Sequence, residues 1–295
     1  MLYLGIDGGG TKTSAVFANE DKKILLRLSG KTINYYSAGM SAARNNLKEI
    51  ISEASEKLGE TEFKSVFIGS SALDKEATQK EIKEFTDGII NAQKIAMNSD
   101  LYVALCGCKS QKNKIIVISG TGSMALLQCG EKITKRGGWG HILGDEGSGY
   151  SISLSFLKKL VIMYDNKKCD ELISAVCRHF GLSSFEEIID FVYGKTTGKE
   201  KLASLCPLVL SFAQNGNELS LNTVTEECNS LFRTVKPLII NGDNPDIFLY
   251  GGVFQNSDFY RSLFCGFIKN EFDGVNVKLL NIPPEESALN EAYKL

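Results

Sequence analysis

Apolar and polar residues at the start of the chain alternate with the two-residue period of β-strands. Three strands are predicted, at residues 3–6, 11–18 and 24–29. The glycine-rich residues 7–10 form a turn that makes the first two strands antiparallel. The period then lengthens to that of an amphipathic helix, which we expect to begin at an N-cap on Ser41 and to end at Gly59.

The rest of the first half predicts two more strands and two more helices. We place the strands at residues 66–68 and 94–98 and the helices at residues 75–92 and 101–108. The opening arrangement then repeats, with predicted strands at residues 115–119, 124–129 and 133–136. A second glycine turn, at residues 120–122, follows the first of these strands. The sequence therefore predicts an α/β protein with a duplicated mixed-sheet core.

The second half is mostly helical in pattern. Helices are predicted at residues 148–164, 169–180, 184–193, 199–214, 218–240, 257–270 and 284–294, and strands at residues 246–250 and 275–280. Pro237 is expected to end or kink the helix that contains it. We expect two domains, residues 1–114 plus 281–295 and residues 115–280, with a ligand in the crevice between them.

Composition and charge limit the possible partners. The chain has 295 residues and a formal net charge of −2, which argues against nucleic acid or an anionic membrane as the main partner. No apolar run approaches the roughly 20 residues that span a bilayer, and the N-terminus does not resemble a signal peptide. The eight cysteines include no C-x-x-C motif, so we expect reduced thiols, mostly in the core, in a cytoplasmic protein.

Half of the 28 glycines lie in four short stretches, at residues 5–10, 120–122, 137–149 and 251–252. The first stretch matches neither G-x-x-x-x-G-K-[ST] nor G-x-G-x-x-G, because a strand follows it instead of a helix. A tight glycine turn still presents successive backbone N–H groups, which bind anions. Two such turns at equivalent places in a repeat suggest a clamp for a triphosphate, although each alone could be an ordinary tight turn.

Asp7 ends the first predicted strand, beside the first of these turns. A carboxylate next to phosphate is repulsive unless a cation lies between them, and Mg²⁺ prefers carboxylate and phosphate oxygens. Asp7 is therefore a candidate Mg²⁺ partner, through water. The alternative is that Asp7 only starts a turn.

Three motifs resemble a known family: GIDGGGTKT at residues 5–13, ISGTGS at residues 118–123 and GGWGHILGDEGSGY at residues 137–150. They are similar to the N-acetylglucosamine kinase group of the BadF/BadG/BcrA/BcrD-type branch of the actin/Hsp70/hexokinase superfamily. The resemblance implies a duplicated actin-like (RNase H-like) ATPase fold, with two lobes around a nucleotide cleft. It also implies ATP and Mg²⁺ as cofactors, phosphorylation of an amino sugar at its 6-hydroxyl, and a homodimer.

The resemblance also implies roles for individual residues. The catalytic base would be Asp100, which could instead be only the N-cap of the helix after it. ATP would be bound by Gly9, Gly10, Thr11, Lys12, Thr121, Gly122, Gly216, Gly251, Gly252 and Ser287. The sugar would contact Asn34, Asp100, Gly138, Trp139, Asp145 and Glu146. The chain departs from the family pattern at Leu101 and Asn290, which affects the substrate rim more than the chemistry.

Some of these residues have structural alternatives. Trp139 could be a core residue, Glu146 could tie its loop, and Ser148 could cap the next helix. We do not assign His141 as the base, because Asp100 has the better context.

Three rival functions remain open at this point. An ATPase activator of a 2-hydroxyacyl-CoA dehydratase would need cysteines for a shared [4Fe–4S] cluster, and only Cys106 and Cys108 suggest one. A non-catalytic sugar sensor would keep the fold without the chemistry. A related repressor/kinase family carries a zinc motif that is missing here.

Overall fold

The computed structural model describes residues 1–59, 62–166, 170–194 and 197–295. The chain divides into two compact units. Residues 1–109 and 281–295 form the first unit, and residues 110–280 form the second. No helix in the described part of the chain is long and apolar enough to span a membrane.

The first unit is built on a five-stranded mixed sheet. Its strands are β1 (Leu2–Gly8), β2 (Lys12–Ala18), β3 (Ile24–Lys31), β4 (Glu62–Ser70) and β5 (Asn91–Ser99). Their order is β3-β2-β1-β4-β5. The first three strands pair antiparallel, whereas β1, β4 and β5 run parallel. The carboxyl ends of the three parallel strands therefore meet at one edge of the sheet.

Helices cover both faces of this sheet. They are α1 (Tyr35–Ala38), α2 (Met40–Leu58), α3 (Gln79–Thr86), α4 (Asp100–Gly107) and a C-terminal helix (Pro284–Ala292). The apolar side chains of α2 and α3 pack with those of the sheet into one core cluster. On the other face, Val103 of α4 packs with Phe67, Ala288 and Ala292. Burial of apolar surface on both faces explains why the central strands read as near-continuous hydrophobic runs.

The second unit repeats the sheet of the first. Its strands are β6 (Lys114–Ser119), β7 (Ser123–Cys129), β8 (Lys132–Gly137), β9 (Asp246–Tyr250) and β10 (Val277–Leu279). Their order is β8-β7-β6-β9-β10, again with two antiparallel pairs followed by two parallel pairs. The predicted duplication of the sheet is therefore confirmed.

The helices of the second unit surround a large core. They are α5 (Gly149–Asp165), α6 (Asp170–Phe180), α7 (Ile188–Tyr193), α8 (Lys199–Ala203), α9 (Cys206–Gln214), α10 (Glu218–Asn241), α11 (Gly252–Asn256) and α12 (Asp258–Glu271), with one 3₁₀ turn at Phe185–Glu187. Phe156, Leu231, Phe254 and Tyr260 lie fully buried in this core. The longest helix, α10, contacts α5, α9 and α12.

Several helix ends differ from the sequence predictions. The helix expected over residues 75–92 is limited to α3, because Thr78 and Glu81 form a capping box at its start and the chain re-enters the sheet at Asn91. The cap position of α2 is Gly39 and not Ser41. The helix α10 continues through Pro237 to Asn241, one residue past the predicted end at residue 240, so Pro237 does not end this helix. Burial of the residues after Pro237 stabilises the last turn.

The predicted core cysteines are only partly buried. Cys108, Cys206 and Cys228 are buried, and Cys106, Cys129, Cys177 and Cys265 are half-buried. Cys169 lies outside the described residues. Desolvation by burial raises the pKa of Cys206 to about 12, so its thiol stays protonated and unreactive at neutral pH.

Candidate functional site

Asp7 lies among like charges at the carboxyl edge of the first unit's sheet. It is the penultimate residue of β1 and is half-buried. Burial, followed by the charges of Asp100 and Glu285, raises the pKa of Asp7 to about 7, against a smaller opposing effect of Lys12. The charged form of Asp7 is therefore disfavoured in this environment, and a cation beside it would stabilise that form.

Asp100 follows β5 directly and begins α4. Ser99, not Asp100, is the N-cap: its hydroxyl accepts a hydrogen bond from the Tyr102 backbone N–H at 3.1 Å. The alternative interpretation of Asp100 as the cap is therefore wrong. Burial raises the pKa of Asp100, while hydrogen bonds from its own N–H and that of Leu101 act in the opposite direction. A buried carboxylate held by backbone donors has a defined orientation.

The first glycine turn is open on one side. Gly10, Thr11 and Lys12 are exposed, and a Cβ added to Gly10 would meet nothing within 4 Å. The carbonyl of Gly9 accepts a hydrogen bond from the Thr32 hydroxyl at 2.7 Å, which ties the turn to the chain after β3. The turn thus presents accessible backbone from a fixed position, which suits an anionic ligand.

Asn34 has a structural role in the described fold. Its side-chain oxygen caps α1 by accepting hydrogen bonds from Tyr36 N at 2.9 Å and Ser37 N at 3.2 Å. Its amide nitrogen donates to Ser71 Oγ at 3.0 Å. One N–H of this amide is left for a ligand, so the predicted sugar contact stays a prediction.

The second glycine turn is joined to the glycine-rich loop that precedes α5. The carbonyl of Gly120 accepts a hydrogen bond from Gly149 N at 2.7 Å, and Thr121 O accepts one from Tyr150 N at 3.3 Å. A Cβ at Gly122 would lie 2.7 Å from Asp145 Oδ2. The structure therefore brings together the predicted phosphate residues Thr121 and Gly122 and the predicted sugar residue Asp145.

Asp145 and Glu146 differ in their surroundings. Asp145 is 5% exposed and has a φ of +63°, a left-handed conformation that Asp tolerates better than most residues. The backbone carbonyl of Glu146 accepts a hydrogen bond from Ser123 Oγ at 2.7 Å. As predicted, Ser148 caps α5, because its hydroxyl accepts a hydrogen bond from Ser151 N at 3.1 Å.

The loop that carries Trp139 projects from the second unit. Trp139 is 76% exposed, so the alternative that it is a core residue is wrong. The base of the loop is fixed, since Gly138 N donates to Ser123 O at 3.1 Å. The His141 ring packs edge-on against Tyr150, with centroids 4.9 Å apart. An exposed indole beside the acidic loop is available to stack on a ligand.

A cavity of about 510 Å³ opens beside the second glycine turn. It is lined by Gly120, Thr121, Gly149, Glu200, Ala203, Ser204, Cys206, Pro207, Leu210, Ser211, Gln214, Gly252, Val253, Asn256 and Ser257. This volume and mixed lining are typical of a small-molecule site. The predicted nucleotide residues Thr121 and Gly252 lie in its wall.

Gly251 explains how this wall is built. Its φ is +100°, and a Cβ there would lie 2.4 Å from the Ser119 carbonyl oxygen. Only glycine allows this close approach. The turn after β9 consequently packs directly against the turn after β6.

Two of the predicted nucleotide-binding residues, Gly216 and Ser287, do not line this cavity. Gly216 forms the left-handed turn between α9 and α10, with φ of +85°, and does not line the cavity, although its neighbour Gln214 does. Ser287 is 1% exposed and packs against Gly107, where an added Cβ would lie 2.6 Å from its hydroxyl. Its burial under α4 gives Ser287 a packing role.

The structure assigns supporting roles to Ser119, inside the second glycine motif, and to Tyr260 and Glu227, which the sequence patterns do not mark. Ser119 Oγ and Tyr260 Oη donate to the Gly147 carbonyl at 2.7 and 2.8 Å, and the Glu227 carboxylate accepts from Gly147 N at 2.9 Å. Tyr260 and Glu227 lie on helices far along the chain from Gly147. No local motif signals their contact with it.

The described residues do not support a cluster site at Cys106 and Cys108. Cys108 is 1% exposed, and its thiol donates to Ala104 O at 3.6 Å. No group of three or more His, Cys, Asp and Glu side chains that could hold a metal occurs among the residues whose placement is described. The cysteine requirement of the dehydratase activator is thus not met by a preformed site in this part of the chain.

Comparison with known proteins finds relatives that match this chain over most of its length. The sequence pattern of the BadF/BadG/BcrA/BcrD ATPase family matches residues 4–289. The N-acetylmuramic acid/N-acetylglucosamine kinase of Clostridium acetobutylicum is 31% identical over 286 residues, which cover 94% of this chain and 94% of that protein. The N-acetyl-D-glucosamine kinase of Dictyostelium discoideum is 30% identical over 252 residues, 81% of this chain and 79% of that protein.

A solved structure shows the same fold. A crystal structure from Chromobacterium violaceum, assigned provisionally as an N-acetylglucosamine kinase, matches with a TM-score of 0.79 at 21% identity. The match covers 98% of each chain. The predicted α/β actin-like fold is thereby confirmed.

Proposed function

The chain belongs to the BadF/BadG/BcrA/BcrD ATPase family, and from this premise we propose that it is a kinase that transfers the γ-phosphate of ATP to a hydroxyl of an amino sugar. The substrate is N-acetylglucosamine or a related hexosamine, and the acceptor is its 6-hydroxyl. The relatives named as amino-sugar kinases support this choice. The observation that carries the proposal is the half-buried Asp100 carboxylate, held by backbone donors at the same sheet edge as Asp7.

Asp100 acts as the general base. Phosphoryl transfer depends mainly on positioning and on neutralising charge, so a weak base is sufficient if it orients the attacking hydroxyl. The N–H groups of Leu101 and of Asp100 itself hold the carboxylate, and burial makes it a better proton acceptor than an exposed Asp. Asp100 accepts the sugar hydroxyl proton as the new bond to phosphorus forms.

The phosphates are assigned to the two glycine turns. Gly9, Gly10, Thr11 and Lys12 supply backbone donors, a hydroxyl and a positive charge in the first unit. Thr121 and Gly122 supply the equivalent backbone donors in the second. The nucleoside is assigned to the 510 Å³ cavity, with Gly252 in its wall. Fixed backbone dipoles stabilise charge without reorganising during the reaction.

The residues around Asp7 fit a magnesium ion. Mg²⁺ is usually held through one or two carboxylates and substrate phosphates, with several waters. Burial and then the charges of Asp100 and Glu285 raise the pKa of Asp7, and a cation beside its carboxylate would favour the charged form. When bound, Mg²⁺ would neutralise charge on the transferred phosphate. Asp7 would hold it through water.

The sugar is assigned to Asn34 and Asp100 in the first unit and to Gly138, Trp139, Asp145 and Glu146 in the second. Carboxylates and amides accept and donate hydrogen bonds to sugar hydroxyls, and the exposed Trp139 ring offers a stacking face. Groups that bind sugar hydroxyls discriminate among sugars, because a sugar that lacks a matching hydroxyl leaves one of these groups without a hydrogen-bond partner.

The proposal is tested by measuring ADP release from ATP and Mg²⁺ with a panel of hexoses and amino sugars. ADP should appear only when an amino sugar is present, and ³¹P NMR should place the phosphate on the 6-oxygen. Asp100→Asn should abolish most of the signal, whereas Asp87→Asn, an exposed carboxylate change in the same unit, should not. ADP without sugar, sugar binding without ADP, or full activity in Asp100→Asn would contradict the proposal.

A further inference from the structure

Glu227 of α10 makes an unusual set of contacts with the glycine-rich loop before α5. Its Oε2 accepts hydrogen bonds from Gly147 N at 2.9 Å and from Ser151 Oγ at 2.6 Å. Its Oε1 accepts a short hydrogen bond from Ser155 Oγ. One carboxylate thus receives one backbone donor and two hydroxyls. Hydrogen bonds to a charged acceptor are about twice as strong as neutral ones.

The backbone carbonyl of the same residue is equally well held. The Gly147 carbonyl accepts from Ser119 Oγ at 2.7 Å and from Tyr260 Oη at 2.8 Å. Gly147 also packs tightly on α10, since an added Cβ would lie 2.6 Å from Leu231 Cβ. The backbone of Gly147 is therefore fixed by donors and an acceptor from three different elements.

Gly147 lies close along the chain to Asp145, whose backbone conformation is unusual. Asp145 is two residues before Gly147, has a φ of +63°, and has its carboxylate against Gly122 of the second glycine turn. A non-glycine residue in this region stores strain that the surrounding structure must maintain. Besides the packing on Leu231, the bond from Gly147 N to the Glu227 carboxylate connects this residue to α10.

We propose that Glu227 is a positioning residue for the sugar side of the site. By accepting the Gly147 N–H, it holds residues 145–148 in place before a ligand binds, so that Asp145 and Glu146 need no ordering when the sugar arrives. This inference rests on the proposed kinase function for its kinetic consequence. Its structural part, the fixation of Gly147 by the Glu227 carboxylate, is independent of that function.

Two substitutions of Glu227 separate the effect of side-chain length from the effect of charge. Glu227→Asp keeps the charge but is one methylene shorter, so its carboxylate withdraws from Gly147 N. Glu227→Gln keeps the length, and its amide oxygen can still accept from Gly147 N. Glu226→Asp is the matched control, because Glu226 is the neighbouring residue on α10 and only pairs with Lys159 at the surface.

Hydrogen exchange of the Gly147 amide is the direct measurement, and it needs no activity. Exchange should be faster in Glu227→Asp and close to that of the unchanged protein in Glu227→Gln and Glu226→Asp. Trp139 is the single tryptophan of the chain and lies on the adjoining loop, so its fluorescence anisotropy should also fall in Glu227→Asp. An unchanged exchange rate in Glu227→Asp overturns the proposal.

Steady-state kinetics test the consequence. Glu227→Asp should raise the KM for the sugar and lower kcat/KM by about 10- to 100-fold, the loss typical of small misplacement of a site. The KM for ATP should change less, and the thermal midpoint should match that of Glu226→Asp. Glu227→Gln should recover most of the activity. Equal impairment of Glu227→Gln and Glu227→Asp would overturn the proposal.

Two further results keep the inferences separate. If Glu227→Asp does not fold, the double variant Ser151→Ala, Ser155→Ala removes the donors that orient the carboxylate and should also speed exchange at Gly147; unchanged exchange there overturns the proposal. If the unchanged protein phosphorylates no sugar, the proposed function fails, while the exchange measurement still decides the role of Glu227.

Discussion

Asp7 and Asp100 lie at one edge of the same sheet, and the charge of Asp100 raises the pKa of Asp7. Asp7 is the penultimate residue of β1 and Asp100 follows β5, two strands that both run parallel to β4. Together with burial and the charge of Glu285, this interaction brings the pKa of Asp7 to about 7. Asp7 is thus about half protonated at neutral pH until a cation lies beside it.

The first prediction concerns stability and pH. Asp7 has a higher pKa in the folded protein, about 7, than its ordinary value of 3.8. Between these values the folded state keeps a proton that the unfolded state has lost. The contribution of Asp7 to the free energy of unfolding is therefore fully present below about pH 4. It falls by up to about 4 kcal/mol as the pH rises to about 7.

Asp7→Asn should remove this dependence. Without divalent cations, the variant should be more stable than the unchanged protein at pH 8, and the difference should shrink towards pH 4. Urea unfolding across this pH range measures the difference in the free energy of unfolding. Asp21→Asn, a substitution at an exposed turn residue, is the control. Added Mg²⁺ should stabilise the unchanged protein at pH 8 but not Asp7→Asn. Identical pH profiles for both proteins would contradict the assignment.

The second prediction concerns the base. Asp100→Asn cannot accept a proton, so kcat should fall by about 10²- to 10⁴-fold. Affinity for a non-hydrolysable ATP analogue, measured by calorimetry, should be nearly unchanged. Because burial raises the pKa of Asp100 and the base must be unprotonated, kcat should fall with decreasing pH above the usual range for Asp. A pH-independent kcat in acid would argue against this role.

The third prediction concerns the turn after β9. In Gly251→Ala the new Cβ would lie 2.4 Å from the Ser119 carbonyl oxygen, at a φ of +100°. We expect destabilisation by about 2–4 kcal/mol. Gly266→Ala is the control, since Gly266 is in α12 with open space around it, and it should stabilise by about 0.5–1 kcal/mol. Denaturant unfolding compares the two; equal stabilities would exclude the close approach.

The fourth prediction concerns the cavity. Ala203→Phe places a ring in a space of about 510 Å³ that we assign to the nucleoside. Affinity for ATP should fall about tenfold or more, while sugar binding, followed by Trp139 fluorescence, should persist. Lys201→Phe adds the same ring at an exposed position of α8 that does not line the cavity and should bind ATP normally. Unchanged affinity in Ala203→Phe would place the nucleoside elsewhere.

Local patterns predicted most of the elements because their causes are local. The two-residue alternation and the glycine turns identify the strands of both sheets, and the repeat of that pattern identifies the duplication. Helix ends were less predictable where two neighbouring residues could each serve as the N-cap. Ser99 and Asp100 are both good caps, and only the folded backbone shows that Ser99 takes the position.

The sequence by itself determined the motifs, the succession of strands along each repeat and the residue types available for phosphate and sugar binding. The tertiary structure alone decided which of them meet. The pKa of Asp7 depends on charges brought from β5 and the C-terminal helix, and Gly147 is held by Glu227, 80 residues away in the chain. Ser287 is buried by packing under α4. Burial and long-range hydrogen bonds arise only when distant segments pack, so no local pattern encodes them.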